Sequence, residues 1–189
     1  MKFFLDTEFI EDGKTIDLIS IGIVASDGRE FYRLNYDCDF SKASQWVQDN
    51  VLNSIPLPNV YPTREAFPSS ELRKQGWRNK DQIAKELLDF VEQGKAKPEF
   101  WGYYADYDWV VFCQLFGTMM DLPKGFPMYC RDIKQFCDYL GNPKLPEQGK
   151  GEHNALADAR WNKQAWAFLN NLSQDCVVSG GKIEQPEMR

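Results

Sequence analysis

The sequence has a single histidine, no Cys-x-x-Cys pair, no surplus of positive charge and no long apolar run. Each absence excludes something. No stretch approaches the roughly 18 consecutive apolar residues that a membrane-spanning helix needs, so no segment reads as a bilayer span. Met1-Lys2-Phe3-Phe4-Leu5-Asp6 reaches a carboxylate too early to hold the apolar stretch and cleavage site of a secretory leader. The five cysteines, Cys38, Cys113, Cys130, Cys137 and Cys176, are odd in number and scattered. That pattern suits reduced thiols in a soluble cytoplasmic protein better than a disulfide frame or a thiolate zinc site. The 22 basic residues are outnumbered by 28 acidic ones, for a net charge of −6, which disfavours a surface that grips a long duplex. A small site that holds only a strand end needs few phosphate contacts, and carboxylates that bind cations count as negative without their ions. No internal repeat or low-complexity tract is present.

At 189 residues, 43% hydrophobic and 14% aromatic, the chain suits one packed domain. Lys2–Phe9, Asp17–Ala25 and Glu30–Tyr36 read as three strands joined by Asp12-Gly13 and Asp27-Gly28 turns, an antiparallel meander. Ser41–Leu52 suits a short helix. The following segment to Gly76, rich in Pro and Ser, reads as an irregular surface excursion whose role the sequence does not give. Asn79 caps a helix carrying Ile83, Leu87, Leu88 and Val91 and stopped by Gly94. Pro98–Tyr104 is a buried strand, Asp108–Phe116 an apolar helix closed by Gly117, and Met128–Cys130 a short strand before a helix over Asp132–Leu140. Asn142–Gly151 reads as a mobile loop, and a last helix starts near Asn154 and runs through Leu169. Beyond Leu172 the periodicity fades. The order β-β-β-α-β-α-β-α describes an α/β domain, a mixed sheet with helices packed on it.

Three features carry chemistry. Asp6 and Glu8, two apart in a strand, leave the same face, while Leu5, Thr7 and Phe9 point to the other. Two like charges so placed repel unless a hard cation lies between them. A lone Asp-x-Glu reads more readily as a solvated strand edge, but this pair follows apolar positions that look buried. His153 stands five residues before Asp158, where a loop meets a helix. A lone loop histidine is more often a surface residue; as a base it has the advantage of titrating near neutrality. In Trp101-Gly102-Tyr103-Tyr104-Ala105-Asp106-Tyr107-Asp108 a strand runs into a helix, where ligands of open α/β sheets bind. Asp106 or Asp108 could equally be a helix cap, and the tyrosines either core residues or stacking surfaces for bases.

The order of these features, Asp-x-Glu, a distant Asp after a strand, then His-x-x-x-x-Asp at the last helix, resembles the DEDDh 3′→5′ exonucleases, which have an RNase H-like fold. The resemblance spans about Met1–Leu169. Phe4-Leu5-Asp6-Thr7-Glu8-Phe9, Tyr103-Tyr104-Ala105-Asp106-Tyr107-Asp108-Trp109 and His153-Asn154-Ala155-Leu156-Ala157-Asp158 are most similar to the bacterial RNase AS group, exoribonucleases that favour adenylate-rich 3′ ends and form dimers. The resemblance implies an exonuclease domain over residues 1–172, and the fading periodicity leaves 173–189 as a loosely ordered tail. It implies two divalent cations, Mg²⁺ or Mn²⁺, with Asp6, Glu8 and Asp158 holding the first, Asp6 bridging to the second, and Asp108 completing the acidic set through water. His153 would be the general base. The resemblance also implies Asp108 rather than Asp106, since in the family the acid is followed by a helix with an apolar residue a few positions on, here Val111 or Phe112. Thr7, Phe9 and Tyr104 are the expected substrate contacts. Many of these nucleases have Asn where Tyr104 stands, which touches base and sugar contacts more than chemistry.

The expected activity is therefore metal-dependent hydrolysis at the 3′ end of single-stranded, adenine-rich RNA, with a homodimer and no membrane partner. Two alternatives stay open at this stage: a 3′→5′ exodeoxyribonuclease of the same fold, and a catalytically silent interaction module. A two-carboxylate glycosidase explains neither the histidine nor its spacing from Asp158.

Overall fold

The computed structural model describes residues 1–55, 70–94, 96–149 and 151–179, with side chains to residue 174. Three long strands, β1 (Lys2–Glu11), β2 (Ile16–Ala25) and β3 (Glu30–Asn35), form the predicted antiparallel meander. Its turns use the Asp-Gly pairs. Asp12 Oδ1 accepts from the Lys14 and Thr15 amides, while Gly13 and Gly28 take φ of +78° and +95°, where a Cβ would be strained. The short β4 (Trp77–Arg78) joins β3 in parallel, and β5 (Glu99–Gly102) joins β1 in parallel on the other side. With β6 (Arg131–Asp132) the six-stranded order is β4-β3-β2-β1-β5-β6. This is the mixed sheet expected from the sequence.

Alternation along β1 assigns each face its job. Phe3 and Leu5 point into a core completed by α3 (Lys80–Glu92) and α4 (Asp106–Gln114). Burying one such side chain is worth about 1.5–3 kcal/mol. Phe4, on the opposite face, meets Trp166 of the final helix α6 (Ala155–Ser179). Asp6 and Glu8 continue the Phe4 face, so they look toward α6. Opposite Glu8 and Phe9 the register slips past Ile19, a bulge that puts Leu18 and Ile21, three apart, into one core and Ile19 into another.

Several elements depart from expectation. Only Gln45–Asn50 of the first predicted helix is α-helical (α1), flanked by 3₁₀ turns at Phe40–Lys42 and Leu52–Ser54. Residues 56–69 of the Pro- and Ser-rich segment lie outside the described residues. Its last part forms the helix α2 (Ser70–Lys74) and leads into β4. The strand expected at Met128–Cys130 is displaced to Arg131–Asp132, because those residues pair with Trp101 and Gly102 while Met128 and Tyr129 stay exposed. Asp132 then caps α5 (Ile133–Tyr139) by accepting from the Gln135 amide. Helix α6 continues to Ser179, past Leu172 where the apolar periodicity fades. The stretch 142–149 has no regular structure, as expected, yet it is pinned: Pro146 O accepts from Trp161 Nε1 at 3.0 Å, and Leu145 packs beside α5 and α6. Among the described residues no helix is long and apolar enough to cross a membrane.

Candidate active site

The site is assembled where α6 comes down on the sheet. Its inner face is small: Ala155, Ala159 and Ala165 are fully buried. Opposite Asp6 in the register lies Gly22, and a Cβ built there would sit 2.2 Å from the Ala155 carbonyl oxygen and 2.4 Å from the Leu156 nitrogen. Only a glycine lets the start of α6 approach the strand so closely. One turn beyond Asp158, the buried Asn162 donates from Nδ2 to the Leu5 carbonyl at 2.8 Å, fixing the helix register against β1. The outcome is that Asp6, Glu8 and Asp158 each present a carboxylate oxygen, all within 4.8 Å of one another.

Asp108 arrives from the other side of β1. It is the third residue of α4, in the first turn, and is only 7% exposed, whereas Asp106 is exposed. The parallel pairing of β1 with β5 ends at Phe4, and past it Asp108 Oδ1 accepts from the Thr7 amide at 2.7 Å and from Thr7 Oγ1 at 2.6 Å. A carboxylate thus takes up an edge donor that a strand would otherwise satisfy. Thr7, expected to touch substrate, is buried and turned toward Asp108. Phe9 packs against Tyr107, with ring centroids 5.8 Å apart. Tyr104 is 63% exposed at a φ of +53°, its ring 4.6 Å from that of Tyr103.

His153 joins the cluster through its backbone. Its N–H donates to Asp158 Oδ2 at 3.0 Å while Gln148 Nε2 donates to Asp158 Oδ1. Asp6, Tyr103, Gln148, His153, Asp158 and Trp161 line a cleft of about 150 Å³. A larger hollow of about 360 Å³ lies beside Lys97, Tyr129 and Arg131 and contains none of these carboxylates.

The electrostatics are those of crowded anions. Burial, then the charges of Asp108, Glu8 and Asp158, push the Asp6 carboxyl well above its ordinary range. Burial and the Asp158 and Asp108 charges push Glu8 up to about 8. Burial raises Asp108 to about 6 against the pull of the Thr7 hydrogen bonds, and raises Asp158 against its bonds to His153 and Gln148. Such a set favours a divalent cation, which would hold the groups ionised and cancel their repulsion. All the donors are hard oxygens, the chemistry of Mg²⁺ or Mn²⁺ rather than of zinc, so the residues present fit such ions.

Sequence reasoning did not find Gly22, Asn162, Gln148, Trp46 or Ser54. An isolated glycine inside an apolar strand is a legible sign of close backbone approach. Gln148 and Ser54 carry no such signal, since their partners, Asp158 and the His153 carbonyl, are set by the fold.

The chain is 40% identical over 161 residues to the 3′-5′ exoribonuclease Rv2179c of Mycobacterium tuberculosis strain H37Rv, covering 85% of this chain and 88% of that protein. The same figures hold for the 3′-5′ exoribonuclease MT2234.1 of strain CDC 1551. In fold it is similar to Schizosaccharomyces pombe Pop2p, solved in a Mg²⁺- and Mn²⁺-bound form, with a TM-score of 0.50, 12% identity, and coverage of 92% of this chain and 83% of that one. Residues 1–170 match the family described as the 3′-5′ exoribonuclease Rv2179c-like domain, and the chain belongs to that family.

Proposed function

We propose that this protein is a divalent-cation-dependent exoribonuclease of the DEDDh type, close to the RNase AS group, that removes nucleotides one at a time from single-stranded, adenine-rich RNA 3′ ends. The observation that carries the reading is the meeting of Asp6, Glu8 and Asp158 within 4.8 Å, with His153 bonded to Asp158 beside a cleft. Asp6, Glu8 and Asp158 would hold one Mg²⁺ or Mn²⁺, Asp6 would share a second, and Asp108, whose Oδ1 is committed to Thr7, would reach the set through water. When bound, two such ions activate a water and stabilise the leaving 3′ oxygen in phosphodiester hydrolysis.

The chain's own groups do the rest. His153 takes the proton of the attacking water, a role that contributes about 10²–10⁴-fold. Thr7 keeps Asp108 oriented. Tyr104, exposed beside the cleft-lining Tyr103, offers a face on which the terminal base stacks, and Phe9 packs against the exposed Tyr107. Residues 1–172 carry the domain. A homodimer and a cytoplasmic location complete the proposal, supported respectively by the exposed apolar Val110, Met119 and Met120 and by the free thiols of Cys38, Cys113, Cys130 and Cys137.

The test is side-by-side digestion of matched single strands: adenine-tailed RNA, RNA of other tails, and the DNA equivalent. Preferential shortening of the adenine-tailed RNA supports the reading. Equal or faster loss of DNA moves the protein to the deoxyribonuclease alternative, and no cleavage of any strand favours the silent module.

A further inference from the structure

Helix α1 stands outside the sheet and helices that carry the carboxylates, and none of its side chains is fully buried, Val47 alone being partly buried against a core cluster. Its Trp46 is 56% exposed, an unusual place for the largest apolar ring. Among the described residues the ring that Trp46 meets is the imidazole of His153, with centroids 4.9 Å apart and planes at 78°. The same segment reaches His153 a second time, since Ser54 Oγ, which donates to the Val51 carbonyl at 2.7 Å, shares its proton with the His153 carbonyl at 3.2 Å. From the opposite side the His153 N–H is bonded to Asp158.

His153 needs such restraint. Its φ of +66° lies in the left-handed region that L-residues with a Cβ rarely adopt. A strained backbone of this kind persists where the surroundings over-determine it, and such positions gather at functional sites. Here the N–H is tied to Asp158, the carbonyl to Ser54, and the ring to Trp46. The first two ties fix where the side chain starts. Neither fixes its χ angles. Among the described residues, the ring that packs on the imidazole, and so limits where its nitrogens point, is the Trp46 indole.

We propose that Trp46 is a positioning residue, which holds the His153 imidazole by an edge-to-face contact in the rotamer from which it accepts the proton of the attacking water. The inference rests on the assignment of His153 as general base. A preorganised base within reach of its proton is what catalysis of this type requires, and a freely rotating ring is productive only part of the time.

His153 is the only histidine in the chain, so its imidazole gives a single, self-assigned set of NMR signals in the full-length protein. In the cation-free wild type these signals carry the ring-current displacement of the indole. Trp46→Ala moves them toward the values of an unstructured histidine, and Trp46→Phe keeps part of the displacement. Because Trp46 is exposed, neither change opens the core. On adenine-tailed RNA with Mg²⁺, Trp46→Ala lowers kcat by about 2- to 13-fold, the range that an aromatic pair allows, and leaves KM unchanged. Trp46→Phe recovers most of the loss. In a His153→Ala background the Trp46→Ala effect disappears, since the two residues act as one unit.

Three results overturn the proposal. One is unmoved imidazole signals in Trp46→Ala. Another is a raised KM with unchanged kcat, which makes Trp46 a stacking surface for RNA instead. The third is a loss of kcat of the same size with and without His153. If His153→Ala itself keeps the wild-type kcat, the general-base assignment fails and this proposal with it; the ring-current signal would still report whether the two rings touch, so the two failures are separable.

Discussion

Replacing Glu8 by Gln in the cation-free protein should stabilise it, and only at high pH. Glu8 is 9% exposed, and its pKa is raised from 4.5 to about 8 by burial and by the neighbouring carboxylates. The folded state therefore keeps a proton that the unfolded chain has already released between those two values. Stability is greatest below that window and falls as pH rises through it. At about 1.4 kcal/mol per tenfold in proton affinity the ceiling is about 5 kcal/mol above pH 8, and because the carboxyls of the site titrate together, the share expected for Glu8 alone is about 2 kcal/mol. For a chain of this size that is about 4–8 °C in Tm. Thermal unfolding in chelator should thus show Glu8→Gln melting higher than wild type at pH 8.5 and level with it at pH 5. Adding Mg²⁺ should raise the wild-type Tm strongly at pH 8.5 and the variant's much less. A variant that is destabilised equally at both pH values would refute the reasoning, because Glu8 would then carry no charge strain for a cation to relieve.

Three further outcomes follow from the geometry. Asp6→Ala should abolish hydrolysis and cation binding by calorimetry, whereas His153→Ala should lose about 10²–10⁴-fold in kcat but still bind the cation; equal residual rates would contradict the division of roles. Gly22→Ala places a methyl 2.2 Å from the Ala155 carbonyl oxygen, so α6 must lift away from β1. Its unfolding free energy should fall by about 1–3 kcal/mol, with kcat down by about 10²-fold from the displaced Asp158, read by denaturant melts and kinetics on the folded variant. Thr7→Val deletes the 2.6 Å hydroxyl bond to Asp108, a charged-group hydrogen bond worth about 1.5–3 kcal/mol, so the Asp108 pKa rises above about 6 and the acid limb of the pH–rate profile moves to higher pH, with Thr7→Ser restoring it.

The meander was legible because its strands alternate cleanly and its turns carry Asp-Gly. The Asn79-capped helix was legible because Ile83, Leu87 and Val91 repeat at helical spacing, and the structure shows Asn79 accepting from the Gln82 amide with Gln82 reaching back. Strands β4 and β6, two residues each, are too short to show any period and exist only by pairing with Leu34–Asn35 and Trp101–Gly102. The start of α4 was read two residues late because its N-cap, Ala105, has no side-chain cap; its amide instead donates to Asp132 Oδ2 from the next unit. The extension of α6 beyond Leu172, Ser173-Gln174-Asp175-Cys176-Val177-Val178-Ser179, carries no apolar repeat at helical spacing to announce it. At the site, Asp6 and Glu8 were visible through strand alternation and Asp158 through its spacing from His153. The burial of Asp108 against Thr7 and the approach of Trp46 to His153 depend on residues about a hundred positions apart, which no local pattern encodes.

The most direct test is digestion of a 5′-labelled, adenine-tailed single-stranded RNA by wild type and Asp6→Asn, each with Mg²⁺, with Mn²⁺ and with chelator. The account predicts a ladder shortening from the 3′ end with either cation, releasing nucleoside 5′-monophosphates, and no cleavage in chelator or with the variant. Shortening that persists in chelator, or that Asp6→Asn performs as fast as wild type, would contradict a cation-dependent site built on Asp6, Glu8 and Asp158.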